Sequence, residues 1–467
     1  MKALKICFLT IIFLISLSKP TKIQANNIFG LHLTQTNDIA NSAKIINSSG
    51  GDWGWVTIVI NLQHLDHQHW QNFFDQCRSY HLIPLVRLAT RSQNSGWSRP
   101  SYQDVDNLAN FLNSLNWPTQ TQHIILFNEV NRASEWGNLI NPPHYADVAI
   151  YASQKFKQLN PNFYIIGAGL DLSAPNQPPQ FMSAGRFYYQ IFHYKKQFFD
   201  HIDAIASHAY PNPAFIGLPS QTGQHSIHSY QWELNYLKQL GINKDFPVFI
   251  TETGWPHLQG QQNNPNFYDV NRSVEFLISA YQQWSQHPQV QAVTPFIFNY
   301  PYPPFDHFSW LDKNEKLYPA YQKIINLPKT ANHPPQKTSF EFVHHYLPFI
   351  IFPNQKYLGK IKLRNTGQSI WGASETNFCL PPQSTTNLQL SPLCTNYQQV
   401  LPNQNHIFRF TFQIKDNPHH LDSFISWPQI PAIQITTATK KPTILRVKTG
   451  LKQKIIQFVK NLHLHIL

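Results

Sequence analysis

A chain of 467 residues exceeds what one hydrophobic core usually serves, so two folded domains are expected, one of them large. Its formal net charge of +12 invites a polyanionic partner, yet eleven of the positive charges lie in residues 1–25 and 440–467, where no acid occurs. The body between them is nearly neutral, which argues against a nucleic-acid-binding surface. An aromatic content of 14% suits instead a partner with apolar faces and hydroxyl edges, such as a sugar.

At the start, Lys2 and Lys5 precede an apolar run from Ile6 to Leu17 and a small-residue exit at Ala25. This is the layout of a secretory signal peptide over residues 1–25. The run is short for a bilayer span, but Ile23 spoils the exit site, so an uncleaved anchor stays open. Both readings export the body and make the protein secreted or cell-surface bound.

From residue 28 to 327, short β-rich apolar runs alternate with helical patterns, the signal for parallel strands joined by crossover helices. Eight runs are predicted as strands: Phe29–Leu33, Trp55–Ile60, Pro84–Leu88, His123–Phe127, Tyr164–Gly167, Ala204–Ser207, Val248–Thr251 and Val293–Phe298. Helices are predicted over Asn37–Ile46, His67–Tyr80, Tyr102–Leu115, His144–Leu159, Phe187–Phe199, Ser226–Leu240 and Asp269–Gln286, with a short closing helix over Tyr318–Ile325. Eight such units in about 300 residues match a closed (β/α)8 TIM barrel, and no glycine-rich phosphate loop follows the first strand as a doubly wound sheet would require.

Residues 328–340 turn to Pro, Lys, Asn, Thr and His and read as a linker. Beyond it, over residues 341–440, the helical period gives way to alternating runs at Tyr357–Leu363, Phe378–Leu380, Thr386–Leu390, Ile407–Ile414 and Ala432–Thr436. That pattern predicts an all-β accessory sandwich. The segment KIKLRNTGQSIW, with Trp371 after an Asn-Thr-Gly turn, resembles Ig-like sandwiches appended to secreted enzymes. An oxidising compartment would permit a Cys379–Cys394 bridge, although two cysteines at that spacing leave the question open. The tail, residues 446–467, repeats Leu451, Ile455, Phe458, Val459, Leu462 and Ile466 at helical spacing among lysines. Such a basic amphipathic helix fits peripheral contact with an anionic membrane or cell envelope, and equally a helix docked on the body.

On this barrel, acids at the carboxyl ends of strands are the best catalytic candidates. The fourth predicted strand ends in ILFNEVN, with Asn128 and Glu129, and the seventh ends in VFITETGWP, with Glu252. Breaking a glycosidic bond with retention needs one protonated carboxyl to assist departure and one ionised carboxylate to attack, about 5–5.5 Å apart. Strands four and seven face each other across a barrel mouth, so these two glutamates can converge on one bond.

The pattern resembles clan A of the glycoside hydrolases, in which strand four supplies an Asn-Glu pair and strand seven a second Glu. The resemblance covers the barrel and implies Glu129 as acid/base, Glu252 as nucleophile and Asn128 as a hydrogen-bond partner of the sugar 2-hydroxyl. It also gives roles to the strand-six segment ASHAYP: Tyr210 would hold Glu252 ionised, and His208 would contact sugar or the acid/base. Arg87, in PLVRLATR, would pair with Glu252.

Trp255 and Trp136 are the best placed aromatic platforms for a sugar ring, with Trp53, Trp97 and Trp310 expected near the same rim. Many clan members carry a Trp on strand eight. This chain reads PFIFNYPYPPF, which leaves Phe298 or Tyr300 as substitutes. The histidines in HLDHQHW lack zinc-site spacing, and no metal or cofactor is expected.

The expected activity is therefore that of a retaining glycosidase on a β-linked oligosaccharide or polysaccharide. TETGWP resembles the nucleophile strand of β-1,3-glucanases in the same clan. A wall-remodelling transglycosylase uses the same two acids and stays open, as does a non-catalytic sugar-binding surface protein.

Overall fold

The computed structural model describes residues 27–93, 96–348, 351, 354–372, 378–383, 388–415, 422–436 and 446–447. Residues 1–25, where a signal peptide is expected, lie outside the described residues, as does the tail beyond residue 447. Among the described residues no helix is long and apolar enough to cross a membrane.

The first eight principal strands are β1 (Gly30–Leu33), β2 (Gly54–Asn61), β3 (Leu82–Ala89), β4 (Gln122–Ile125), β5 (Phe163–Gly167), β6 (Ala204–His208), β7 (Val248–Glu252) and β8 (Val290–Val293). They pair in sequence order, all parallel. The sheet returns on itself where Phe29 bridges Val293 in parallel and the Val293 N–H donates to Ile28 O at 2.7 Å. This is the TIM barrel expected from the alternation. Its interior is a close-packed layer of Trp55, Leu85, Ile125, Ile166, Ala206 and Phe249, large side chains facing small ones, so the barrel is a core and not a pore.

The fourth strand ends two residues short of its expected range, at Ile125, and the eighth departs further. The eighth apolar run was expected over Val293–Phe298, whereas β8 ends at Val293. Pro295 has no N–H to give a ladder, and the chain beyond it curls over the mouth, with Phe296 N bonded to Thr253 O and Phe298 N to His32 O.

The helices start where their side chains cap them. Ser101 and Asp104 form a capping box at the helix Tyr102–Ser114, and the Asp269 carboxylate accepts from two N–H groups at the head of the helix Val270–Trp284. Asn141 followed by two prolines starts the helix Pro142–Leu159 two residues earlier than the periodicity suggested. Along Val270–Trp284, Val270, Val274, Leu277, Tyr281 and Trp284 form the stripe buried on the barrel.

A polar contact crosses the strand–helix layer behind β6. Glu233, on the helix Ser229–Gln239, is fully buried and accepts from Ser207 Oγ at 2.5 Å and from Tyr188 OH at 2.8 Å. Burial pushes its carboxyl up to about 7, against the pull of those two donors. A carboxyl whose pKa is higher folded than unfolded stabilises most at low pH, and that contribution is lost as pH rises through about 7. Glu233→Gln is therefore expected to flatten the stability–pH curve between about pH 4.5 and 7, removing a decline of roughly 3 kcal/mol. Chemical denaturation of both chains across that range checks this; parallel curves would refute it.

The segment expected as a linker is instead strapped to the amino-terminal floor of the barrel. The Lys329 ammonium is largely buried and donates to Ser48 Oγ and Ile324 O, Asn332 bonds Asn27 and Trp53, and Gln336 donates to Pro118 O. Its Pro and Asn content reads as loop, but its polar groups are satisfied by the floor.

The β domain follows with β9 (Phe340–Tyr346), β10 (Lys356–Asn365), β11 (Cys379–Leu380), β12 (Leu388–Leu390), β13 (Leu393–Cys394), β14 (Asn405–Ile414), β15 (Asp422–Ile425), β16 (Ile433–Thr436) and β17 (Arg446–Val447). All its pairings are antiparallel, in sheets β9-β10-β14-β12, β11-β13 and β15-β16-β17. Ile361, Leu363, Trp371, Phe408, Phe410 and Trp427 form its own core, and Cys379 is disulfide-bonded to Cys394. It contacts the barrel from below: Gln368 donates to Thr119 O at 2.9 Å and Gly367 O accepts from Asn116 at 3.0 Å. Asn116 and Thr119 precede β4, so this domain meets the face opposite the strands' carboxyl ends.

Candidate active site

Active sites of TIM barrels form at the carboxyl ends of the strands, and here those ends enclose a cleft of about 690 Å³. Its base is a hydrogen-bonded set drawn from β3, β4, β6 and β7. The Arg87 guanidinium donates to Glu252 Oε1 at 2.9 Å and to Asn128 Oδ1 at 2.5 Å. Tyr210 OH donates to Glu252 Oε2 at 3.2 Å, and His208 Nδ1 donates to Glu129 Oε1 at 3.0 Å. Single oxygens of Glu129 and Glu252 and a ring nitrogen of His208 all lie within 4.8 Å of one another. The six residues expected from the strand ends, Arg87, Asn128, Glu129, His208, Tyr210 and Glu252, are thus brought together.

Two local distortions make this possible. Phe249 faces the barrel interior, so strict alternation would turn Glu252 outward. The β6–β7 register slips between the Ser207–Ile250 and His208–Glu252 pairs, and this irregularity re-aims Glu252 into the mouth beside His208. At β4 the chain leaves the ladder after Ile125, with φ of +73° at Phe127 and +32° at Glu129. Non-glycine residues rarely adopt these values, and such strain, of order 1–3 kcal/mol each, concentrates at functional sites. The turn lets Asn128 and Glu129 both face the cleft, anchored where the Glu129 N–H donates to Gly169 O at 2.8 Å.

Electrostatics separate the groups. Burial works against the His208 imidazolium, but the charges of Glu252 and Glu129 outweigh it and raise its pKa. Burial, reinforced by Glu252 and Glu129, holds Tyr210 far above its ordinary range, so it stays a donor. Among the described residues Glu129, His208 and Glu252 form the group spaced to hold a metal ion. Guanidiniums on both sides, Arg87 at Glu252 and Arg132 at Glu129, oppose a further cation there.

The tryptophans are corrected. Trp136 is fully buried against Phe127, His144 and Tyr145, because it faces inward from the short helix Ala133–Trp136. Trp255 is also buried, its indole N–H held by Gly217 O at 2.7 Å and its ring against Phe276. Neither lines the cleft, so neither is a sugar platform. Trp53 lies on the floor, stacked on His81, and Trp310 is buried on Tyr321. Only Trp97 of this set reaches the cleft. In place of Phe298, which is buried, and Tyr300, the carboxyl end of β8 offers Phe296. With Phe215, Phe305 and Phe308 it makes an aromatic wall of edge-on rings.

Opposite that wall stand charges the motif reading missed. Arg132 donates to Glu129 Oε2 at 3.2 Å and lies 3.6 Å from Asp171, while Glu135 accepts from Asn128 at 3.1 Å. Burial raises the pKa of both Asp171 and Glu135. Asp171 sits just past β5, where the strand-end rule applied to GAGLDLS finds it; Glu135 lies in the short helix Ala133–Trp136, which offers no such signal.

Gly169 is required by this packing. A Cβ there would overlap the His208 imidazole. Gly169→Ala is expected to displace His208 from Glu129 and lower any turnover about 10²-fold, the scale of a misplacement near 1 Å. Kinetics beside a melting curve checks it, and wild-type turnover would remove His208 from the machinery.

No family model and no curated protein matches the chain. Solved structures are similar at low identity. The "Ignisphaera aggregans GH53 catalytic domain" aligns at 15% identity and TM-score 0.43, covering 66% of this chain and 98% of its own. A β-mannanase from Thermomonospora fusca aligns at 12% and 0.40, covering 66% and 92%. A glucosidase from Croceicoccus marinus aligns at 8% and 0.47, covering 84% and 97%. The chain is similar to these proteins, and its own strand pairing makes it a parallel (β/α)8 barrel followed by an antiparallel β domain.

Proposed function

We propose that the chain is a retaining glycoside hydrolase acting on a β-linked glycan. The observation that carries this is the approach of the two carboxylates, with oxygens of Glu129 and Glu252 within 4.8 Å. Retention calls for about 5–5.5 Å between the two groups, whereas inversion needs about 6.5–9.5 Å to admit a water. Glu252, oriented by Arg87 and Tyr210, attacks the anomeric carbon while Glu129 protonates the departing oxygen. The C–O bond breaks as the glycosyl–Glu252 ester forms. Glu129, now a carboxylate, takes a proton from water, which attacks the anomeric carbon and releases Glu252. A neutral sugar ring has an apolar face for the phenylalanine wall and hydroxyls for the charged wall.

The test is a panel of β-linked glycans incubated with wild type and Glu252→Gln. Products formed by wild type alone support the reading, and chain-lengthened products would favour transfer to a sugar hydroxyl over hydrolysis. No cleavage across the panel would leave the sugar-binding alternative.

The β domain is proposed as a spacer or attachment module, since it meets the barrel on the face away from the cleft. Removing residues 341–440 is expected to leave kcat on a small soluble glycoside within about twofold while lowering the melting temperature, because it uncovers floor groups such as Thr119 O. Loss of that activity in a folded barrel would make the domain a working part of the enzyme. Export through residues 1–25, and surface attachment through the basic tail, extend the proposal on the strength of their sequence. Attachment through lysines should weaken as salt rises.

A further inference from the structure

Arg87, Trp97, Asn128 and Glu135 line the cleft and also line a second, more enclosed cavity beside it. That cavity leaves about 10 Å³ for the centre of a water-sized group, enough for one such group and no more. Its remaining walls are Leu88, Ala89 and Phe127 together with Thr90 and Ser98, and the Thr90 hydroxyl already donates to Ser98 O. Two polar atoms of the residues that line it lack partners among the described residues. Glu135 accepts from Asn128 through Oε2, and its Oε1 has no hydrogen bond; Arg87 uses Nη1 for Asn128 and Glu252, and its buried Nε has none. A buried donor left unpaired is costly, and Arg87 Nε is such a donor, whereas Glu135 Oε1 is an open acceptor beside it.

We infer that this cavity is a side pocket of the sugar site that takes a single ring hydroxyl, with Glu135 as the residue that reads it. The inference rests on the glycosidase reading for the identity of the ligand. A hydroxyl is the one small sugar substituent that both donates, to Glu135 Oε1, and accepts, from Arg87 Nε. An ammonium accepts nothing and would sit beside a guanidinium, and an acetamido group exceeds the volume. Because Glu135 also holds Asn128, the hydroxyl belongs to the flank of the ring that Asn128 addresses. Burial, with Glu129 and Glu252 nearby, pushes the Glu135 carboxyl up against the pull of Arg87, so a donor from substrate relieves a desolvated group.

The full chain, Glu135→Gln and Glu135→Ala are assayed on the aryl β-glycoside that wild type cleaves best, on each of its monodeoxy counterparts and on its 2-acetamido form. Wild type is expected to lose about 10–100-fold in kcat/KM on one deoxy compound, the scale of a hydrogen bond to a charged group. Glu135→Ala should lose as much on the parent and little further on that compound. Glu135→Gln, nearly isosteric, carries the comparison if the alanine chain does not fold. The same loss on every compound overturns the inference, since it marks a residue acting only through Asn128. So does a wild type indifferent to every missing hydroxyl. If wild type cleaves no glycoside, the glycosidase reading fails separately, and calorimetric binding of free monosaccharides and their monodeoxy forms decides the pocket. An affinity that ignores both the hydroxyl and Glu135→Ala overturns it.

Discussion

Glu252→Gln is expected to lower kcat by about 10⁴-fold or more, the scale seen when a covalent nucleophile is removed, while leaving the fold intact. The amide keeps the size of the carboxylate and can still meet Tyr210, but it has no charge for Arg87 and no lone pair able to form the ester. Glu252 is only 8% exposed, so an isosteric change limits the packing penalty and makes the loss chemical. Glu252→Ala supplies the role: with the side chain gone, azide can enter from that face and attack the anomeric carbon directly, giving a glycosyl azide of inverted configuration. Full turnover in the glutamine variant would end the assignment. Rescue without inversion would reassign Glu252 as the acid/base.

Glu129→Gln is expected to cost about 10²–10⁴-fold, the range for a positioned general acid, with the larger loss on substrates whose leaving group needs protonation. An activated aryl glycoside departs without help, so its first step should survive and the ester on Glu252 should accumulate as a burst. Azide added to Glu129→Ala should release that ester with retained configuration, because it attacks from the face that water would have used. His208 and Arg132 lose one carboxylate partner but keep Glu252 at 3.7 Å and Asp171 at 3.6 Å, so only a modest loss of stability should accompany the kinetic effect. A uniform loss across good and poor leaving groups would contradict the role.

These two glutamates were legible because they follow apolar β-rich runs, and strand ends collect catalytic groups on this fold. Arg87 was read from its place at the end of the third strand, and His208 and Tyr210 through the clan A resemblance of ASHAYP. The tryptophans were not, for a physical reason. A Trp near a motif has the largest apolar surface available, and burial is its default unless a ligand face is held open for it. Trp136 and Trp255 follow the glutamates closely in sequence and pack behind them, whereas Trp97, far from either motif, reaches the cleft. Glu135 stands beside Trp136 in a short helix away from any strand end, where local spacing carries no catalytic signal.

Periodicity and strand-end chemistry, both local properties of the chain, determined the eight alternating units, the change to antiparallel strands after residue 340, and the pair Glu129 and Glu252. Three things were decided only in three dimensions. The slip between β6 and β7 turned Glu252 inward against strict alternation, because a bulge depends on how two strands pair and not on either alone. The strap of residues 329–336 lies on the floor because its polar groups find partners in loops far away in the chain. The charged wall of Arg132, Glu135 and Asp171 exists because loops after β4 and β5 fold over the same mouth, and the field of one buried charge on another depends on distances that no spacing in sequence records.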